Sequence, residues 1–280
     1  MGSFFTKIHY SLRLAFICGL TGVLSSQAFS VTLMPPDAWP NSQWSEMVFA
    51  NPLISSIEMH GENWLQIGRV TDNSGSGQVV YNGGSTNASG VPVANAANQL
   101  ADFSGSVILG ISTQGDSHGV ILRSGGSAFN SLTSYYIAIS GTQLRLHYGL
   151  GEAFSSETPT QGVVLAADDH STSLLNLRPT TNNQYRLEFS AIGMIFTAAL
   201  WRLDINGNVV GEDPISAFSY IDERPEARSE GYFGLRGGRY GGNRTTYFRD
   251  LQINLIPEPS TLGLLLPAGL LAFCNRKRKV

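Results

Sequence analysis

Alternation with a period of two constrains this chain more than any other feature. Ser106 to Thr113, Gly119 to Ser124, Ser134 to Ser140 and Gln143 to Tyr148 are short runs rich in β-branched and aromatic residues. Tyr185, Leu187 and Phe189 alternate with Arg186, Glu188 and Ser190. Successive side chains of a strand point to opposite faces, so such spelling gives a sheet one apolar and one polar face. Gly141-Thr142 separates two runs at hairpin spacing. Phe196 to Asp204 leads into Asn206-Gly207, a pair suited to a two-residue type I′ turn. Gly231 to Gly237 and Thr245 to Asn254 are the last runs, and no segment before residue 257 sustains a helical period. Many short strands with glycine-rich turns predict an all-β antiparallel sandwich of jelly-roll type. Residues 31–100 are less regular. Trp39, Trp44 and Trp64 read there as core or edge anchors, and Asp72 to Gly90 as loop with a short strand at Gln78 to Tyr81.

The two ends read as addresses. Lys7 and Arg13 precede an apolar run, Leu14 to Leu24, that falls short of the ~20 residues a spanning helix needs. Small residues then offer cleavage after Ala28 or after Ser30, so residues 1–30 are predicted to be a signal peptide. At the other end come Pro257-Glu258-Pro259-Ser260, an apolar stretch from Leu262 to Cys274, and Arg276-Lys277-Arg278-Lys279. A basic cluster behind an apolar stretch stays cytoplasmic and leaves the preceding domain outside. Pro267 kinks the short transmembrane helix between them. These three parts, residues 257–280, resemble the PEP-CTERM sorting signal of exported proteins in Gram-negative bacteria that make extracellular polysaccharide. The resemblance implies recognition by an exosortase and cleavage near Pro257 to Pro259. A GPI-type signal ends in its hydrophobic tail, which the terminal basic residues contradict; a plain single-pass anchor is the other reading. The expected address is the cell envelope or extracellular matrix, with transient anchoring in the inner membrane.

Without these ends, residues 31–256 hold twelve Arg, no Lys and twenty Asp and Glu, an excess of eight negative charges. A nucleic-acid partner needs a basic face, so that class is excluded. Both cysteines, Cys18 and Cys274, lie in the ends. The central domain therefore has no disulfide, thiolate metal site or cysteine nucleophile.

The order of strand-like runs resembles concanavalin A-like, laminin-G-like domains. The matching pieces are GVILRS, YYIAISGTQLRLHYG, QYRLEFSAIGMIFTAALWRLDING, GYFGLRGG and TTYFRDLQIN, covering roughly residues 100–255. The resemblance implies two packed antiparallel sheets, one concave, often with a glycan-binding role. The family's closing motif has Asp-Asn after the aromatic. Here Arg249-Asp250 follow Phe248, so no calcium role passes to Asp250.

Candidate chemistry is sparse. Gly115 to Gly119 (GDSHG) fits G-x-S-x-G, but that elbow needs a helix after it, and a strand-like run follows. Sugar-cleaving members of the resembled fold carry Glu-x-Asp on a strand, and no Glu here has Asp two residues later. Asp168-Asp169-His170 is a polar cluster expected in a loop. Asp204 to Asn208 begins like a calcium loop, but Ile215 stands where the closing Glu belongs. Calcium therefore has no motif, and His60, His118, His147 and His170 lack zinc spacing. Asn87 and Asn243 are glycosylation acceptors by pattern only. Sugar binding wants aromatic area beside polar hydrogen-bonding groups. Tyr136, Arg145, His147, Arg186 and Trp201 lie on strands in phases that suit it, the competing reading being that Tyr136 and Trp201 pack between the sheets. The resulting expectation is a non-catalytic, exported module that binds or organises extracellular polysaccharide. The alternatives are a surface protein without a specific ligand and a hydrolase with an atypical carboxylate pair.

Overall fold

Two antiparallel sheets lie face to face in this computed structural model of the chain. It describes residues 29–31, 39, 43–49, 53–59, 61–68, 75–81, 83, 96–111, 118–125, 133–139, 142–149, 163–169, 184–239 and 245–256. The eight-stranded sheet orders β13 (Ser216–Ile221), β12 (Ile195–Leu203), β11 (Gln184–Ile192), β6 (Phe103–Ile111), β15 (Thr245–Leu255), β4 (Glu62–Gly68) and β3 (Leu53–Met59). A short β1 (Phe29–Val31) also pairs with β15. The seven-stranded sheet orders β10 (Val163–Asp169), β9 (Gln143–Gly149), β8 (Thr133–Ile139), β7 (His118–Gly125), β14 (Tyr232–Arg239), β5 (Gly75–Tyr81) and β2 (Trp44–Phe49). The steps β4 to β5, β6 to β7 and β14 to β15 each change sheet, the winding of a jelly roll. Ser30–Leu255 forms one compact unit. Among the described residues the sole helix is a three-residue 3-10 turn, Ala96–Asn98, and no helix is long and apolar enough to cross a membrane.

The core fills the space between the sheets. Tyr185, Leu187, Phe189 and Ala191 of β11 point inward, and Arg186, Glu188 and Ser190 outward, as the alternation requires. Phe233 sits at the centre, 5.5 Å from Phe189 in a stacked pair and edge-on to Phe103 and Trp44. Fully burying one such side chain contributes about 1.5–3 kcal/mol. The seven-stranded sheet departs from simple alternation. All of β7 is buried, and Ile121, Tyr136 and Ala138 form a second cluster on the face away from the core.

Several sequence expectations change. The less regular region 31–100 supplies β2 to β5, and the short strand expected at Gln78 to Tyr81 extends back to Gly75. Trp44 joins the core and Trp39 packs against it, whereas Trp64 faces away while its neighbours Leu65 and Ile67 point in. The Asn206-Gly207 turn is longer than two residues. Asp204 N–H bonds to Asn208 O at 2.8 Å and Gly207 N–H to Asp204 O at 3.0 Å, with Gly207 left-handed at φ 82°. The Asp204 carboxylate accepts from the Asn208 side chain and from the Asn206 and Asn208 amides, which holds it below the usual carboxylate range. This is turn chemistry rather than an ion loop. Gly119 ends the GDSHG pattern inside β7, where a Cβ would stand 1.8 Å from the Ile137 carbonyl oxygen.

Asp168 and Asp169 end strand β10 instead of lying in a loop. Asp168 ties the two sheets at one edge: its carboxylate accepts from Ser216 Oγ and from the Ala217 amide, each at 2.9 Å. The Ala217 N–H lies on edge strand β13, so this bond also blocks an open sheet edge. Replacing Asp168 with Ala is expected to cost about 1–3 kcal/mol, because two polar groups lose a charged acceptor. Urea titration of parent and variant measures it; a change under about 0.5 kcal/mol would show that water replaces the carboxylate without loss.

The expected cleavage position Ala28 and the sorting residues Pro257, Glu258, Pro259, Arg276, Lys277, Arg278 and Lys279 lie outside the described residues, as do His60, Asn87, His170 and Asn243. Ser30 falls within β1.

Candidate functional site

The outward face of the eight-stranded sheet is built in rows across the strands. Arg249, Ile108, Arg186 and Trp201 stand side by side on β15, β6, β11 and β12. The next row is Gln252, Ser106, Glu188 and Ala199, and the next Asn254, Ser104, Ser190 and Thr197. Two open grooves cross this face. One, of about 380 Å³, is lined by Met59, Glu62, Trp64, Ile108, Gln184, the Ile205–Gly207 turn, Arg249 and Asp250. The other, of about 430 Å³, is lined chiefly by Ser104, Ser106, Glu188, Ser190, Thr197 and Asn254. Ile108 and Ser106 share one face of β6, so the grooves adjoin roughly 7 Å apart along the strand.

A bulge creates the first groove's charge pattern. The pairing of β15 with β6 shifts between Arg249 and Gln252, and Asp250 takes a left-handed φ of 51°. Leu251 then returns to the core. The extra residue lets Arg249 and Asp250, chain neighbours, both line the outward groove, which strict alternation forbids. Arg249 lies 4.9 Å over the ring of Trp64, which is 1% exposed. Its Nη1 is 3.5 Å from Glu62 Oε2 and contacts Asp250, and its Nη2 donates to Gln184 Oε1 at 2.8 Å. Beside it Arg186 Nη2 meets Glu188 Oε1 at 2.9 Å, and Glu188 Oε2 accepts the Trp201 indole N–H at 2.9 Å. Trp201 is therefore a half-buried outward residue rather than a core one.

Glu62 and Asp250 converge on one guanidinium in this groove. Glycoside cleavage needs one carboxyl protonated and its partner ionised. Here both carboxylates are engaged by the same guanidinium.

The other three sequence candidates gather on the seven-stranded sheet. Tyr136 of β8 lies opposite His147 of β9, ring centroids 6.2 Å apart, and Arg236 of β14 stands 5.3 Å from the Tyr136 ring. Burial pulls the Arg236 guanidinium down to about 10, with Tyr136 opposing it. Tyr136, His147 and Arg236 are each 3% exposed or less, so this cluster is closed. Arg145 is half-buried at its rim, where Gln143 joins it to Asp169. Tyr136, Arg145 and His147 thus share one sheet, and Arg186 and Trp201 the other. Among the described residues no three His, Cys, Asp or Glu side chains are grouped to hold a metal ion.

Sequence reasoning missed Trp64, Arg249, Asp250 and Gln184 as one group. No sequence signal placed the bulge; the ambiguity of two adjacent charged residues in a strand, Arg249-Asp250, is the one hint.

No protein-family model and no curated protein matches the chain. Solved structures do resemble it. A carbohydrate-binding module from Bacillus subtilis is 14% identical, with 76% of this chain and 95% of the module covered and a TM-score of 0.42. A Bacillus subtilis protein of unknown function with a galectin-like fold is 10% identical, with 81% and 98% covered and a TM-score of 0.49. Lectin I-B4 of Griffonia simplicifolia, in its metal-free form, is 11% identical, with 81% and 98% covered and a TM-score of 0.44. None of the three passes a residue role to this chain.

Proposed function

We propose that this chain is a non-catalytic polysaccharide-binding or matrix-organising module, exported and sorted through its C-terminal tail. The observation that carries the binding reading is the pair of adjoining grooves on one sheet face. They combine serine, threonine and amide groups with Arg249, Glu62, Asp250 and Glu188, and Arg186 and the Trp201 indole stand beside them bonded to Glu188. Hydroxyl groups of a sugar both donate and accept, and such a lining offers both roles within a few ångströms. The sorting reading rests on the three-part tail, with an exosortase as processing partner and the membrane as a transient one.

Affinity electrophoresis of the full chain in non-ionic detergent tests the binding reading. Gels cast with the host's extracellular polysaccharide are expected to retard the parent chain. Trp201→Ala and Thr197→Trp, which alter the rim and fill the second groove, are expected to weaken retardation about tenfold, the scale of one lost aromatic or blocked contact. Addition of calcium or chelator is expected to change nothing. Equal mobility of parent and both variants would move the surface protein without a specific ligand to the front.

A further inference from the structure

We infer that the outward face takes an extended run of an uncharged polysaccharide, its two arginines serving as hydroxyl-binding groups rather than anchors for acidic sugars; this rests on the binding reading above. The grooves adjoin, so a ligand that fills both is a chain segment rather than a single terminal sugar. The charges decide the class. Arg249 is already paired with Glu62 and Asp250, and Arg186 with Glu188. Among the described charged residues that line the grooves or pair with them there, three carboxylates thus face two guanidinium groups. An acidic polymer would bring anions toward carboxylates whose guanidinium partners among the described residues are already paired, and like-charge juxtaposition is costly. The excess of eight negative charges over residues 31–256 acts in the same direction.

The hydrogen-bonding pattern agrees. Trp64 Nε1, Arg186 Nε and Arg249 Nε are buried and make no hydrogen bond within the protein. Each is covered in the free chain, so binding goes with a small rotation of the arginine side chains. A hydroxyl can then accept from such a donor and return its own proton to Glu62, Glu188 or Asp250. A carboxylate or sulfate can accept but has no proton to give back.

The test uses full chain in detergent, electrophoresed through a neutral glucan, a neutral galactomannan and a polyuronate. Each is run at about 0.05 M and 0.5 M salt, where screening lengths differ severalfold. A neutral polymer is expected to retard the chain equally at both salts, with loss in Thr197→Trp. Glu188→Gln keeps an acceptor for Trp201 but frees Arg186. It is expected to weaken neutral-polymer binding and to raise polyuronate affinity, each by up to about fivefold, the scale of an exposed ion pair. Stronger, salt-sensitive retardation by polyuronate that Thr197→Trp abolishes would overturn the neutral class and leave carbohydrate binding standing. Retardation by none of the three polymers would overturn both.

Discussion

Replacing Arg123 with Leu is expected to lower stability by about 3–5 kcal/mol, the scale for removing one partner of a buried charged network. The Arg123 side chain is wholly buried. Its Nε and Nη2 donate to Ala101 O at 3.0 and 2.7 Å, and its Nη1 to Gly193 O at 2.6 Å and Arg228 O at 3.0 Å. Asp102 balances the charge at 3.2 Å and also accepts the Gly193 amide at 2.8 Å. One guanidinium therefore joins the entry to β6, the β11–β12 turn and the loop before β14. Burial pulls Arg123 below its ordinary range, and Asp102 opposes that pull. Leu would leave three carbonyls without this donor and Asp102 without its cation. Arg123→Lys keeps the charge but not the planar fork, so it is expected to recover less than half the loss. Urea unfolding measures both, and the Leu variant should melt about 10 °C lower. A loss under about 1 kcal/mol would show that the three segments hold together without this side chain.

Arg123 also marks where the sequence stops being legible. Runs such as β11 announce their inward and outward faces, because the outward face is wet and the spelling alternates. The hairpins and the all-β class follow from the same signal. β7 is buried on both faces, so its spelling cannot say which side meets the core. Arg123 sits at a break in the β7–β8 register with φ 49°, where an inserted residue turns the side chain into the interior. Asp250 repeats the lesson on the opposite sheet, and both are non-glycine residues in a conformation the sequence does not mark. Alternation left open whether Tyr136 and Trp201 pack between the sheets, and all five residues singled out for glycan contact stand outside the inter-sheet core. It could not foresee that Tyr136 and His147 would be covered on their second face, or that Arg186 and Trp201 would stand on the other sheet. Edge strands β10 and β13 were missed because their faces are only partly buried, and the Val163 to Ala167 run of β10 does not alternate.

Acid is expected to remove about 2 kcal/mol of stability through one carboxylate, Asp222, which is buried beside Tyr135 and Arg224. Burial alone would raise its pKa. Arg224 outweighs this with a two-pronged grip, Nε to Oδ1 at 2.8 Å and Nη2 to Oδ2 at 2.7 Å, and the Tyr135 hydroxyl adds a bond at 2.6 Å. The result is a carboxyl held at about 2, below its ordinary 3.8. A group whose pKa is depressed by folding stabilises the native state above its unfolded value. That contribution is therefore complete above about pH 5 and drains away as pH falls toward 2. Burial and the Asp222 bond push Tyr135 the opposite way, so its hydroxyl stays a donor across this range. The network reaches further, because Arg224 lies 4.1 Å over the Tyr148 ring and the Arg228 amide donates to the Tyr135 oxygen at 3.2 Å. Asp222→Asn keeps the shape and cannot ionise. It is expected to be about 3 kcal/mol less stable than the parent near pH 7, where it leaves Arg224 with only the more distant Glu226 at 3.8 Å. Near pH 2 the parent carboxyl is itself about half protonated and most of its charge-linked stability is gone, so the two stability curves should close to within about 1 kcal/mol. Urea midpoints from pH 7 to 2 measure both curves. Curves that stay parallel would assign the loss to packing at residue 222, and convergence assigns it to the charge held between Arg224 and Tyr135.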